Sequence, residues 1–221
     1  MNGESNYRLF SDNTPNAKLK MWKSLEVNGV IFVWYHVDDE EPEWQPENID
    51  EISSGKWQFY GRTEHYANCH MQEIPENGAD VAHLNQIHSS SVIGSGSLEN
   101  RHKWFERILK HEWIANWSPC PAPNQHMSTV ETLSISKIFG FKIFELNFNI
   151  KQIGPAYVEI RIKCNLFAGM EGVLLQLVKP IGPMRNSIIH NFYFNNSIIN
   201  FIFFKFLLFS MASMVNIIHI I

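Results

Sequence analysis

Residues 61–88 read GRTEHYANCHMQEIPENGADVAHLNQIH, and within them Glu76, Asp80, His83 and His88 fall in the spacing E-x3-D-x2-H-x4-H. Two imidazoles and two carboxylates therefore share about one helix's worth of chain. Neutral imidazole is a good ligand for Fe(II), and two His plus one carboxylate on one face of the ion leave positions open for O2 and substrate. Pro75, Glu76 and Asn77 are read as opening a helix that runs to about residue 89. On it Asp80 and His83, at i, i+3, share a face, but His83 and His88 lie about 140° apart round the axis. Both imidazoles reach one ion only if the helix widens or ends between them, so a π-type irregularity or a helix terminus is expected at residues 84–87. A zinc-hydrolase helix spaces its histidines at i, i+4, and this one does not.

Working outward, residues 57–63 are expected as a short strand, preceded by an acidic, Pro-containing connector at 38–55 that reads as a solvated linker or long loop. A domain boundary is expected between 40 and 60. Farther upstream, residues 19–37 carry two β-rich runs on either side of Asn28-Gly29, the signature of a type I′ hairpin. Residues 1–15 are polar and lack the basic and apolar regions of a signal peptide. Downstream, a Gly/Ser loop at 90–100 leads to apolar runs at 104–117, 127–148, 157–167 and 172–179, the texture of an antiparallel sheet. The expected fold class is α+β, mostly antiparallel sheet with covering helices. Residues 188–221 are almost wholly apolar, broken by Asn195-Asn196 and Lys205. They read either as a buried helix packed on the sheet or as a membrane-associated or membrane-spanning helix, in which the central Lys would cost a few kcal/mol.

The 221 residues, 45% of them apolar, suffice for the core of one ordinary domain or one domain plus part of another, which excludes wholesale disorder. A net charge of −4 provides no basic field, so nucleic acid is not expected as a partner. Cys69, Cys120 and Cys164 form no C-x-x-C pair, which argues against a disulfide framework or closed zinc knuckle and for a reducing compartment. The charge is asymmetric, because no Asp follows Asp80 and no acid of either kind follows Glu171.

Residues 61–88 resemble the catalytic-iron segment of Rieske-type oxygenases, and within them the Neverland-type cholesterol 7-desaturases. MQEIPENGADVAHL is the most specific part, and the resemblance continues through LEVNGVIFVWYHVDDEEPEW upstream and QIGPAYVEI, LVKPIGPM and IIHNFY downstream. It covers about residues 18–195. Steroid 9α-hydroxylases share the iron motif but resemble the chain less in its flanks. The resemblance implies a helix-grip-like catalytic domain at 56–195, preceded at 1–55 by the end of a Rieske [2Fe-2S] domain with its linker and followed at 196–221 by a divergent apolar segment. It further implies that His83 and His88 ligate a mononuclear Fe(II). Asp80 would be the carboxylate that links an iron-bound His to the Rieske centre of a neighbouring subunit, in a homo-oligomer that is a trimer in the family. Glu76 is a further candidate near the site, and His65 and His70 flank it. Electrons would pass from NAD(P)H through a reductase, O2 would be activated, and cholesterol would lose hydrogens at C7 and C8 to give 7-dehydrocholesterol, a step of ecdysteroid biosynthesis. The implied location is the cytoplasmic face of a membrane.

The chain departs from the family pattern twice. A Rieske cluster uses C-x-H and C-x-x-H pairs; this chain has neither, and the resemblance places those loops upstream of Met1. The family draws its third iron ligand from a downstream Asp, whereas residues 209–221 read FSMASMVNIIHII. Asn216 and His219 bring no negative charge, and Glu145, Glu159 and Glu171 come from another part of the fold. A truncated or alternatively spliced product, or an imperfect gene model, would account for both ends. Two readings remain: an oxygenase catalytic domain that is not active alone, or a non-catalytic sterol-binding or membrane-attached remnant.

Overall fold

The computed structural model of the chain describes residues 21–87, 109–164 and 170–195. His88, the expected Gly/Ser loop at 90–100 and the apolar stretch 196–221 lie outside the described residues. The chain divides into two compact units, Met1–Ser53 and Ser54–Ile221.

The first unit is built on the expected hairpin, β1 (Ser24–Val27) and β2 (Val30–Val33), paired antiparallel. Its turn residues Asn28 and Gly29 have φ of +55° and +70°, the left-handed pair that a type I′ turn requires. Asn28 also anchors the acidic connector. Its Oδ1 accepts from the Ile49 N–H at 2.8 Å and its amide donates to the Glu47 carbonyl at 2.9 Å. The connector is thus tied down where it enters the short helix α1 (Asp50–Ser53), so it is not a solvated linker throughout.

The second unit is a seven-stranded antiparallel sheet. It comprises β3 (Trp57–Ala67), β4 (Leu109–Pro119), β5 (Met127–Ile138), β6 (Phe141–Ile153), β7 (Tyr157–Cys164), β8 (Met170–Gly182) and β9 (Arg185–Asn195). Strands β4 to β9 form a meander, and β3 adds to its far side against β9, giving the order β3-β9-β8-β7-β6-β5-β4. Two short helices, α2 (Glu73–Ala79) and α3 (Ala82–Ile87), follow β3. The mostly antiparallel α+β class expected from the alternating runs is therefore what forms.

Three expectations need correction. The strand expected at 57–63 continues to Ala67. The single run at 127–148 folds back on itself at Phe139-Gly140, whose φ values of +51° and +84° make a second left-handed pair. Composition hides this turn because a phenylalanine stands where Asn or Asp is usual. Residues 188–195 are not the start of a helix but the second half of β9. Held between β3 and β8 and buried on both faces, β9 carries apolar residues at consecutive positions, Ile188-Ile189 and Phe192-Tyr193-Phe194, in place of an alternation, and periodicity cannot tell this from a buried helix. Among the described residues no helix is long and apolar enough to cross a membrane.

A core cluster lies on one face of the sheet, where Ile162, Cys164, Met170, Leu174, Phe192 and Phe194 meet and Tyr60, Leu146, Phe148 and Ile160 pack against them. Gly172 stands directly across from Phe194. A Cβ there would overlap the Phe194 ring and lie 2.5 Å from the Tyr193 carbonyl oxygen. The same face carries a polar row, Thr63, His190 and Gln176, side by side on β3, β9 and β8. His190 is buried, with Nε2 donating to Gln176 Oε1 at 3.0 Å and Nδ1 3.4 Å from the Thr63 hydroxyl, an arrangement that satisfies a neutral ring. Burial, and then the charge of His65 stacked on it at 5.3 Å, push its pKa from 6.5 down to about 3.

Two outcomes are expected from this packing. Gly172→Ala should lower the unfolding free energy by about 1–3 kcal/mol, read from the urea midpoint, because the backbone of Tyr193 cannot swing aside as a flexible side chain could. Between pH 6.5 and about 3 the unfolded chain binds a proton that folded His190 refuses, so stability falls as the pH is lowered through that window. The slope from this one group approaches about 1.4 kcal/mol per pH unit. A His190→Gln variant should lack that component in urea midpoints measured against pH, and an unchanged slope would refute it.

Candidate functional site

The chain enters the site from the buried end of β3 at Ala67. Asn186, at the start of β9, donates from its amide to the Cys69 carbonyl at 2.8 Å and so holds the connection between β3 and α2. Helix α2 begins at Glu73, two residues before Pro75, so the proline occupies the first turn, where its missing N–H breaks no helical bond. The helix ends at Asp80, whose N–H still donates to the Glu76 carbonyl at 2.9 Å while its backbone leaves helical geometry at φ −81° and ψ +78°.

Here the structure corrects the expectation of one continuous helix over 75–89; the irregularity or helix terminus expected at 84–87 is not contradicted, since the described part of α3 ends at Ile87. The break falls at Asp80–Val81, before His83, and α3 is regular to Ile87. Its cause is local. Asp80 Oδ1 accepts from the Ala82 N–H at 3.2 Å, an Asx-type turn that restarts the chain as a new helix. Asp80 and His83 therefore do not share a helix face as i, i+3 neighbours. They meet instead through the backbone, because the His83 ring Nδ1 hydrogen-bonds the Asp80 carbonyl oxygen. A carbonyl only accepts, so the proton sits on Nδ1 and the lone pair on Nε2, which is how a metal-ligating histidine is commonly oriented.

Asn85 fixes this helix to the sheet. Its amide donates to the Trp113 carbonyl at 2.7 Å and its Oδ1 accepts from the Trp113 N–H at 2.9 Å. Since β4 is the edge strand, the Asn85 side chain takes the place of the next strand and satisfies the outward backbone pair of Trp113. The Trp113 ring stacks on Phe148 at 5.8 Å, which carries the anchorage into the packed face. Glu76 accepts from the Gln72 amide at 3.0 Å. With Pro75, Ala79, Trp117, His126 and Gln152 it lines a cleft of about 310 Å³.

Of the expected iron ligands, His83 is half-buried with its Nδ1 against the Asp80 carbonyl, whereas His88 lies outside the described residues. As a neutral imidazole His83 is a ligand type that suits Fe(II). Among the described residues no three His, Cys, Asp or Glu side chains converge on one point. The cysteines do not fit a [2Fe-2S] cluster: Cys164 is buried in the apolar core, and burial, then the charge of Glu73, push the Cys69 thiol up, away from the thiolate that a cluster needs. His65 lies on β3 against His190, and His70 sits in the loop before α2, where its Nδ1 accepts from the Gln72 N–H at 3.3 Å. Sequence reasoning missed Asn85 and Trp113. The available signal was an Asn in the interior of a six-residue helix, where its side chain competes with the backbone unless it is employed elsewhere.

The 3-ketosteroid 9alpha-hydroxylase C-terminal domain family matches residues 33–198. The cholesterol 7-desaturase nvd of Xenopus laevis is 37% identical over 192 residues, which are 86% of this chain and 42% of that protein. Its Drosophila melanogaster namesake is 38% identical over 187 residues, 83% of this chain and 42% of that protein. The chain thus spans less than half the length of these curated relatives. The crystal structure of dicamba monooxygenase bound to 3,6-dichlorosalicylic acid superposes with a TM-score of 0.56 at 11% identity, over 86% of this chain and 55% of that one, a likeness of fold. Matched from residue 33 to residue 198, the chain belongs to the 3-ketosteroid 9alpha-hydroxylase C-terminal domain family, the catalytic domain of Rieske oxygenases.

Proposed function

We propose that the second unit is the catalytic domain of a Rieske-type non-haem iron oxygenase of sterols, and that the whole enzyme converts cholesterol to 7-dehydrocholesterol. The observation that carries this reading is the His83 ring, oriented by the Asp80 carbonyl on a helix that Asn85 locks to the sheet edge. The identity to cholesterol 7-desaturases supports the choice of substrate.

In this reading His83 and His88 hold a mononuclear Fe(II), which when bound supplies the O2 chemistry that removes hydrogens from C7 and C8 of the sterol. The residues of the chain do the positioning. The Asp80 carbonyl keeps the Nδ1 proton in place and presents Nε2. The Asp80 carboxylate, exposed at the break between the helices, is the group offered to the Rieske centre of a neighbouring subunit. Asn85 sets the distance of the helix from the sheet. The cleft beside Glu76 mixes apolar walls from Pro75, Trp117 and Met127 with polar groups from His126, Ser128 and Gln152. Partners in this reading are O2, the sterol, an electron-donating reductase and further copies of the chain at a membrane surface.

In this reading the hairpin of the first unit is the end of a Rieske domain, and the catalytic-domain family match begins at its last strand residue, Val33. Ile31 and Val33 on β2 are exposed, and an isolated two-stranded hairpin is marginal, so this face is suited to being covered by more sheet.

Two measurements test the proposal. Under anaerobic titration the chain should take up one Fe(II), His83→Ala should abolish uptake, and Asn85→Ala should weaken it about 10–100-fold by freeing the helix that carries the ligand. Uptake unchanged in His83→Ala would remove the iron site. Because the cysteines do not fit a cluster, the isolated chain with reductase, NAD(P)H and O2 should yield no 7-dehydrocholesterol by mass spectrometry, and any turnover-dependent product would overturn that expectation.

A further inference from the structure

Two turns in this chain share one backbone and differ in chemistry. Asn28-Gly29 and Phe139-Gly140 both place two successive residues at positive φ. In the first, Asn28 tolerates that region, is buried, and uses its amide to hold the connector. In the second, the left-handed position is held by a bulky aromatic, for which it is unfavourable. The Phe139 side chain gains little in return, being 71% exposed, and Phe141 just past the turn is 76% exposed, with Ile138 and Ile143 exposed beside them. A phenylalanine that strains its turn and buries little is not accounted for by the folding of the described chain.

The residues behind the tip indicate what it meets. Lys110, Lys137 and Lys142 are cross-strand partners on β4, β5 and β6, so three ammonium groups stand in one row on one face. Like charges directly opposite one another are destabilising in a sheet unless something neutralises them. Lys137 pairs with Glu112 and Lys142 with Glu145, so three cations face two anions and the row keeps a net +1. Strands rise about 3.4 Å per residue, which sets Phe139 about 7 Å beyond Lys137, within the roughly 5–10 Å to which interfacial apolar groups enter a bilayer. When the aromatic tip is among the acyl chains, the lysine row is level with the phosphates.

We propose that the β5–β6 hairpin is a membrane-docking tip, which inserts Phe139 and Phe141 into an anionic lipid bilayer while Lys110, Lys137 and Lys142 rest on the lipid phosphates. This rests on the membrane surface named in the proposed function and adds the element that meets it, and it depends on neither iron nor turnover.

The test is flotation of the whole 221-residue chain with phosphatidylcholine vesicles, with and without phosphatidylserine. Wild type should float with the phosphatidylserine vesicles and be released by salt. A Phe139→Asn/Phe141→Ser variant should bind more weakly by about tenfold or more. Asn suits the left-handed position, so its thermal midpoint should be no lower, which separates lost docking from lost folding. Lys137→Gln/Lys142→Gln should remove the preference for phosphatidylserine. A wild-type chain that does not float overturns the proposal, as does equal flotation of the phenylalanine variant, which would assign binding to another segment. It is equally overturned if the phenylalanine variant only turns a dimer into a monomer, which would make the tip a contact between copies.

Discussion

Strand β9 holds the second unit together. It is the last strand of the meander, and it alone bonds β3, the strand that delivers the chain to α2 and α3. Everything at the site depends on that pairing. Asn186 at its start restrains the loop that leads into α2, His190 at its middle completes a polar row with Thr63 and Gln176, and Phe192 and Phe194 near its end fill the core. Because β9 is flanked on both sides and buried on both faces, each polar group it carries inward needs a partner, and a neutral, doubly bonded imidazole meets that requirement where a charged one could not.

The site is held from two directions. From below, β3 and the Asn186 contact set where α2 begins; from the side, Asn85 pairs with the free edge of β4 and sets where α3 lies. Between them the chain breaks at Asp80, and this break does the chemical orienting. A continuous helix would have committed the Asp80 carbonyl to the i+4 N–H, whereas here it accepts from the His83 backbone N–H at 3.3 Å and from the ring Nδ1 of the same residue. The irregularity is therefore part of how the His83 ring is held, consistent with broken periodicity gathering at functional positions.

Much of the fold was legible because its signals are local. Asn28-Gly29 announces its turn because Asn, after Gly, is among the few residues that accept the left-handed region readily, and the alternating runs announce antiparallel strands. Phe139-Gly140 was not legible, since nothing about phenylalanine marks a turn, and the run through it read as one strand. β9 was misread because burial on both faces erases the alternation that identifies a strand. At the site, the spacing singled out Asp80 and His83, but the position of the break between the helices depends on a side-chain hydrogen bond to Ala82 that spacing does not encode.

By itself the sequence determined the residue types and their order: an imidazole and carboxylate motif at 76–88, a chain rich in antiparallel strand, cysteines in no cluster pattern, and a specific likeness to the Rieske oxygenases. Only the tertiary structure decided which groups meet. Asn85 and Trp113 are 28 residues apart, Asn186 and Cys69 are 117 apart, and Thr63 and His190 are 127 apart. Contacts of that range carry no periodic signature, because they are created by strand register, and register is chosen by the whole sheet burying its apolar faces at once.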